Sequence, residues 1–104
     1  MEIKAKDFSN KVIESDKPVL VEFWASWCLP CQTAKEQLKI IKKKIGSEIN
    51  VFEINIDQNP AMSSKFEIMG LPTFIFFKEG KELDRLVGSQ TENNLLSLVH
   101  DNIN

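Results

Sequence analysis

Val19-Leu20-Val21-Glu22-Phe23-Trp24-Ala25, followed directly by Ser26-Trp27-Cys28-Leu29-Pro30-Cys31, is the stretch on which the fold turns. Its first part is apolar at every position but Glu22, which predicts a strand buried on both faces. After the cysteines, Ala34, Leu38, Ile41 and Ile45 recur at spacings of four, three and four. That period predicts a helix from about Leu29 to Ile45. Both cysteines of the chain, Cys28 and Cys31, therefore open a helix that leaves a buried strand. Two intervening residues let the sulfurs approach across one turn. The unpaired N–H groups and the positive end of the helix dipole favour a thiolate. The thiolate is the nucleophile in disulfide exchange, so the pair predicts a redox site.

Other uses of the pair fit less well. As a structural staple it closes a very small loop, worth about 2 kcal/mol in the chain-entropy picture. A closed zinc site needs about four ligands, and beyond the two cysteines the chain has one histidine, His100, far along the sequence. Two inert buried thiols would require full burial, which Pro30 and the strand–helix junction argue against. His100 is expected on the exposed side of the last helix, not as a catalytic base.

The chain has 104 residues, 42% hydrophobic and 27% charged, the balance of a soluble globular protein. One domain spanning 1–104 is expected. The formal net charge of −2 implies no basic field for nucleic acid and no polybasic membrane patch. Met1-Glu2-Ile3-Lys4-Ala5-Lys6 lacks an apolar signal region, and no stretch approaches the length of a membrane span. These features predict a cytoplasmic protein, where a cysteine pair cycles instead of staying locked. No cofactor is expected.

Ile3-Lys4-Ala5 reads as a weak first strand. Asp7 is placed to cap a short helix over Phe8 to Glu14, with Phe8, Val12 and Ile13 as inward candidates. Asp16-Lys17-Pro18 is a turn. Gln32, Lys35, Lys39, Lys42 and Lys43 read as a solvated helix face, and Gly46 as the helix terminator. Ile49 to Ile56 predicts a strand with Phe52, Ile54 and Ile56 on one face. Asn59 and Pro60 predict the cap and opening of a short helix, Ala61 to Phe66. Thr73 to Phe77 is a β-branched and aromatic strand, and Lys78-Glu79-Gly80-Lys81 a hairpin turn. Glu82 to Val87 returns, with Leu83 and either Leu86 or Val87 as apolar members. Thr91 caps a closing helix through Leu95, Leu98 and Val99, and Asp101 to Asn104 are expected to fray. Alternation early in the chain implies parallel strands, the hairpin adds antiparallel ones, and helices must cover both sheet faces.

Over essentially its full length the chain resembles the thioredoxin family. The resemblance rests on Val21 to Cys31, Asn55-Ile56-Asp57-Gln58-Asn59-Pro60, Gly70-Leu71-Pro72-Thr73, Phe77-Lys78-Glu79-Gly80 and Gly88. It implies an α/β thioredoxin fold, a central five-stranded mixed sheet flanked by four helices. It implies a thiol–disulfide oxidoreductase in which Cys28 attacks and Cys31 resolves. Pro72 becomes a cis proline facing the cysteines, its neighbouring backbone pairing with an extended substrate segment. Trp27, Leu29, Pro30, Gly70, Leu71 and Gly88 become the surrounding groove. The implied partners are disulfide-containing proteins and a thioredoxin reductase, and a monomer is expected. The chain departs from the family pattern at four positions. Leu29 replaces a glycine, Glu22 a buried aspartate, Glu53 a lysine, and Glu36 a helix-kinking proline.

Glu22 is the third candidate catalytic residue. A lone charge in an apolar strand is either paired with a lysine or reaching water, or it is a desolvated carboxyl of raised pKa that exchanges a proton with Cys31. Two rival functions use the same frame. A disulfide oxidase or isomerase differs in the direction set by its potential, and a pure docking module would use the groove alone.

Overall fold

Residues 1–103 are described in a computed structural model. β1 (Val19–Trp24) lies inside a four-stranded sheet of order β2-β1-β3-β4, with β2 (Asn50–Asn55), β3 (Thr73–Lys78) and β4 (Lys81–Val87). β1 runs parallel to β2 and antiparallel to β3, and β3 is antiparallel to β4. α1 (Leu29–Ile45) joins β1 to β2, α2 (Pro60–Lys65) precedes β3, and α3 (Glu92–Asn102) closes the chain.

The sheet has four strands, not the expected five. Ile3-Lys4-Ala5 is no strand: the segment meets β2 through a single bridge, Glu2 to Glu53, with Ile3 N–H donating to the Glu53 carbonyl at 2.9 Å. The reason is that its next two backbone donors are diverted to side chains. The Lys4 N–H turns to the Asp7 carboxylate at 3.3 Å, and the Ala5 N–H donates to Asn59 Oδ1 at 2.8 Å, so neither continues a ladder. The first of the expected four helices is also altered. A 3₁₀ turn over Ala5–Asp7 leads into a π turn over Ser9–Ile13, and Asp7 sits in the 3₁₀ turn instead of capping a helix. Phe8 and Val12 point inward as expected, while Ile13 is exposed.

Period-two alternation along β1 and β3 divides the core into two layers. Leu20, Phe74 and Phe76 face Ala34, Leu38 and Ile41 of α1 and Leu95, Leu98 and Val99 of α3. Val21, Phe23, Ile75 and Phe77 face Phe8, Val12 and Met62 on the other side. Glu22 shares the α1 face with Leu20, by the same alternation.

α1 runs unbroken over its expected span, consistent with Glu36 where a proline would remove a hydrogen bond. Gly46 ends it in the right-handed region, φ −65°, instead of the left-handed one. There the absence of a Cβ is what matters, since one would fall against the Lys42 carbonyl. The hairpin loop is Glu79-Gly80, with φ of 54° and 78°, the positive pair that a primed two-residue turn requires. In β4, pairing jumps from Phe77–Glu82 to Phe76–Asp84, which leaves Leu83 as an extra residue. Leu83 and Val87 are exposed, and Leu86 alone of the three apolar candidates packs on the core. Asn59 does not cap α2; its side chain bridges Ala5 N–H and the Asn55 carbonyl. Thr91 does cap α3, its Oγ1 accepting from Asn94 N–H at 3.0 Å. The closing segment expected to fray is helical through Asn102, and Ile103 packs on the core. Asn104 lies outside the described residues.

Candidate functional site

Cys28 is the N-cap of α1, and Leu29 and Pro30 form its first turn. Pro30 suits this place because its missing N–H falls where no helical partner exists. The Cys28 N–H donates to the Ala25 carbonyl at 3.1 Å, and the Cys31 N–H to the Cys28 carbonyl at 3.2 Å, so the turn is anchored to the end of β1. Cys28 and Cys31 are joined in a disulfide, their Cα atoms 5.4 Å apart. Both are nearly enclosed, with exposures of 5% and 4%. The expectation that the junction would prevent burial is therefore corrected. Ala25, Trp24, Ile56 and Leu71 pack around the pair.

What separates the two cysteines is the space each one borders. Cys28 lines an open groove of about 590 Å³ with Trp27, Leu29, Pro30, Gly70 and Leu71, all five expected there. Ile56, Ile68 and Met69 complete its lining. Trp27, Leu29 and Met69 are strongly exposed, at 66%, 77% and 95%, so the disulfide sits within an apolar rim. The Trp27 indole is held by its Nε1–H, which donates to Asp57 Oδ2 at 2.8 Å.

Pro72 is buried and follows a cis peptide bond from Leu71. It and Gly88 lie outside the groove lining. Gly88 instead supports the loop from behind. Its N–H donates to the Pro72 carbonyl at 2.7 Å, in a left-handed conformation of φ 86° that favours glycine. Thr73 Oγ1 donates to the Gly70 carbonyl at 2.6 Å, fixing the same loop from its other end.

Cys31 faces inward. It lines a separate cavity of about 370 Å³ with Glu22, Trp24, Ser26, Gln32, Lys35, Glu36, Ala25 and Glu53. Glu22 is 1% exposed, and its Oε2 is buried with no hydrogen-bond partner. Glu53 stands directly opposite on β2, in register, and its Oε1 is likewise buried and unpartnered. Burial pushes the Glu22 carboxyl up to about 8; the charge of Glu53 and, less, of Glu2 pushes the same way, while Lys35 opposes them. With the disulfide formed, a carboxyl protonated at neutral pH is thus set behind Cys31.

Sequence reasoning missed three supporting residues. Lys35, assigned to a solvated face, lies 4.9 Å from the Trp24 ring centroid and borders the inner cavity. Its position one turn after Cys31, on the same helix face, was the available signal. Glu2 accepts from Trp24 Nε1–H at 2.9 Å and from Asn55 N–H at 3.0 Å, a contact no local pattern announces. Met69 extends the groove rim beside Gly70. Among the described residues, no cluster of three or more His, Cys, Asp or Glu is placed to hold a metal ion, and no helix is long and apolar enough to cross a membrane.

A Cys-x-x-Cys disulfide capping a helix that leaves the central strand, on a mixed sheet covered on both faces, defines a thiol–disulfide oxidoreductase of the thioredoxin fold. Sequence comparison agrees. The family profile described as Thioredoxin matches residues 1–101. A thioredoxin of Rickettsia bellii is 41% identical over 98 residues, covering 94% of this chain and 93% of the relative. A thioredoxin of Mycobacterium tuberculosis is 37% identical over 101 residues, covering 95% and 87%. Thioredoxin Y1, chloroplastic, of Arabidopsis thaliana is 36% identical over 96 residues, covering 92% of this chain and 56% of that protein. The chain belongs to the thioredoxin family.

Proposed function

We propose that this chain is a general reductase of protein disulfides, acting as a single domain and a monomer in the cytoplasm and regenerated by a thioredoxin reductase. The observation that carries this is the disulfide at the α1 N-terminus, with Cys28 bordering an open apolar groove and Cys31 an inner polar cavity. In the reduced protein the Cys28 thiolate attacks a substrate disulfide. A Cys28–substrate bond forms, and the first substrate sulfur leaves as a thiolate. Cys31, giving its proton to the Glu22 carboxylate, which was left ionised when the disulfide was reduced, then attacks Cys28; the intramolecular disulfide forms and the second substrate thiolate departs. Trp27, Leu29, Pro30, Gly70 and Leu71 bind the segment around the substrate cysteine with little sequence preference. Pro72 presents the adjoining backbone, and Gly88 holds Pro72 in place. The helix N-terminus stabilises the Cys28 thiolate, which is why the first attack is assigned to that sulfur.

Thiol trapping tests the assignment. Cys31→Ser is expected to accumulate mixed disulfides through Cys28, and Cys28→Ser to lose turnover. In the reduced native protein Cys28 is expected to be alkylated much faster than Cys31 at pH 7. Equal alkylation rates, or trapping through Cys31, would overturn the roles. A variant lacking both cysteines that keeps its full biological activity would favour a docking module instead.

A further inference from the structure

We propose that Glu53 and Lys35 are positioning residues for the proton that Glu22 exchanges with Cys31: the charge of Glu53 holds that proton on Glu22, and Lys35 balances the two carboxylates when the proton has left. This rests on the reading of Glu22 given above. The geometry points to it in three ways. Glu22 and Glu53 are paired in register across parallel strands, so their side chains leave the same face of the sheet. Each presents a buried oxygen with no hydrogen-bond partner. Both border the one cavity that Cys31 also borders. The charge of Glu53 so placed makes Glu22 harder to ionise, because the buried Glu22 oxygen finds no donor to offset it.

The other charged groups around the pair come from three segments. α1 supplies Lys35 and Glu36 to the cavity wall. Lys39 and Lys42, one and two turns further along α1, border Glu53 on its outer side together with Lys35. The N-terminal segment brings Glu2 and the Met1 amino group, the latter 3.7 Å from Glu53 Oε2. β3, the other neighbour of β1, places Phe74 opposite Glu22 and adds no charge. Lys35 is therefore the one cation bordering the inner cavity among the described residues. Its ammonium is held over the Trp24 ring, and its charge opposes the effects of burial and of Glu53 on Glu22.

The step concerned is reduction of the Cys28–Cys31 disulfide by a dithiol. The reductant thiolate bonds to the Cys28 sulfur, the Cys28–Cys31 bond breaks, and Cys31 departs with the electron pair. It takes the proton from Glu22. The Glu22–Glu53 pair becomes a dianion, which Lys35 stabilises. In the forward direction the same proton returns from Cys31 to Glu22.

The test is the rate of reduction of the disulfide by excess dithiothreitol from about pH 5 to about pH 9. Native protein, Glu53→Gln and Lys35→Met are each divided by a Glu22→Gln reference, which cancels the titration of the reductant. The native ratio is expected to show an inflection from Glu22. Glu53→Gln is expected to move it to lower pH and Lys35→Met to higher pH. Each unit of displacement changes the protonated fraction on the alkaline side about tenfold. A carbon NMR titration of the Glu22 carboxyl in the oxidised proteins is expected to show the same opposed shifts, whatever the variants do to the rate. Coincident inflections, or displacements of the same sign, would overturn the proposal while leaving Glu22 in its role. A native profile matching Glu22→Gln would remove the Glu22 proton route itself, and the proposal with it.

Discussion

Glu22 stands in the middle of a strand whose other residues carry apolar side chains, with one carboxyl oxygen buried and unpartnered. Its raised pKa has a definite effect on stability. Below the ordinary value of 4.5 it is protonated in folded and unfolded chains alike and contributes no difference. Between 4.5 and about 8 the folded chain keeps a proton that the unfolded chain releases, so stability falls as pH rises, and the loss is complete above about 8. At pH 7 this amounts to about 3 kcal/mol. Glu22→Gln is therefore expected to stabilise the oxidised protein by about 2–3 kcal/mol at pH 7 and to give no gain at pH 4. Denaturant unfolding at the two pH values checks it; a mutant no more stable than native at pH 7 would mean that the carboxyl is solvated or paired. The sequence exposed Glu22 because a single charge interrupts an apolar run. It did not expose Lys35, because one lysine among several on a helix looks like solvated surface until the position of Trp24 is known.

At the level of single elements, α1 is where function and folding coincide. Its first turn holds Cys28 as N-cap, and Leu29, 77% exposed, stands as the first residue inside the helix. A side chain there restricts the backbone relative to glycine, which lowers the cost of holding the first-turn N–H groups toward a Cys28 thiolate in the reduced protein. Favouring the thiolate favours the reduced form. Leu29→Gly is therefore expected to make the redox potential more negative, with about 30 mV corresponding to about 1.4 kcal/mol. A more positive potential in the variant would contradict this role. The limits of α1 were readable end for end, since a sustained helical period and a terminal glycine mark both boundaries. The N-terminal segment was not. Ile3-Lys4-Ala5 is too short to display alternation, and the Asp7 carboxylate and Asn59 side chain withdraw its N–H groups from the sheet. β4 was recognised as a strand, but its bulge was not, because one unpaired residue at Leu83 leaves no composition signal.

Over the whole molecule, two apolar layers grip a sheet whose central strands are apolar on both faces, and the disulfide sits where β1 leaves that sheet. Trp27, Leu29, Pro30, Gly70 and Leu71 could be listed from motifs because they fall in two short runs of sequence, whereas Ile56, Ile68 and Met69 reach the groove only through the fold. The inner cavity could not, since it joins β1, the loop after it, α1 and β2, and only the register places Glu53 against Glu22. The central claim is that the molecule gives up electrons to protein disulfides, and its redox potential is the quantity that fixes the direction. It is measured by equilibrating Cys28–Cys31 with a dithiol–disulfide couple of known potential and quantifying both forms. A general reductase is expected to lie below about −230 mV, on the reducing side of the glutaredoxin range. A value of about −120 to −180 mV, the range of dedicated disulfide oxidants and isomerases, would contradict the reductase assignment.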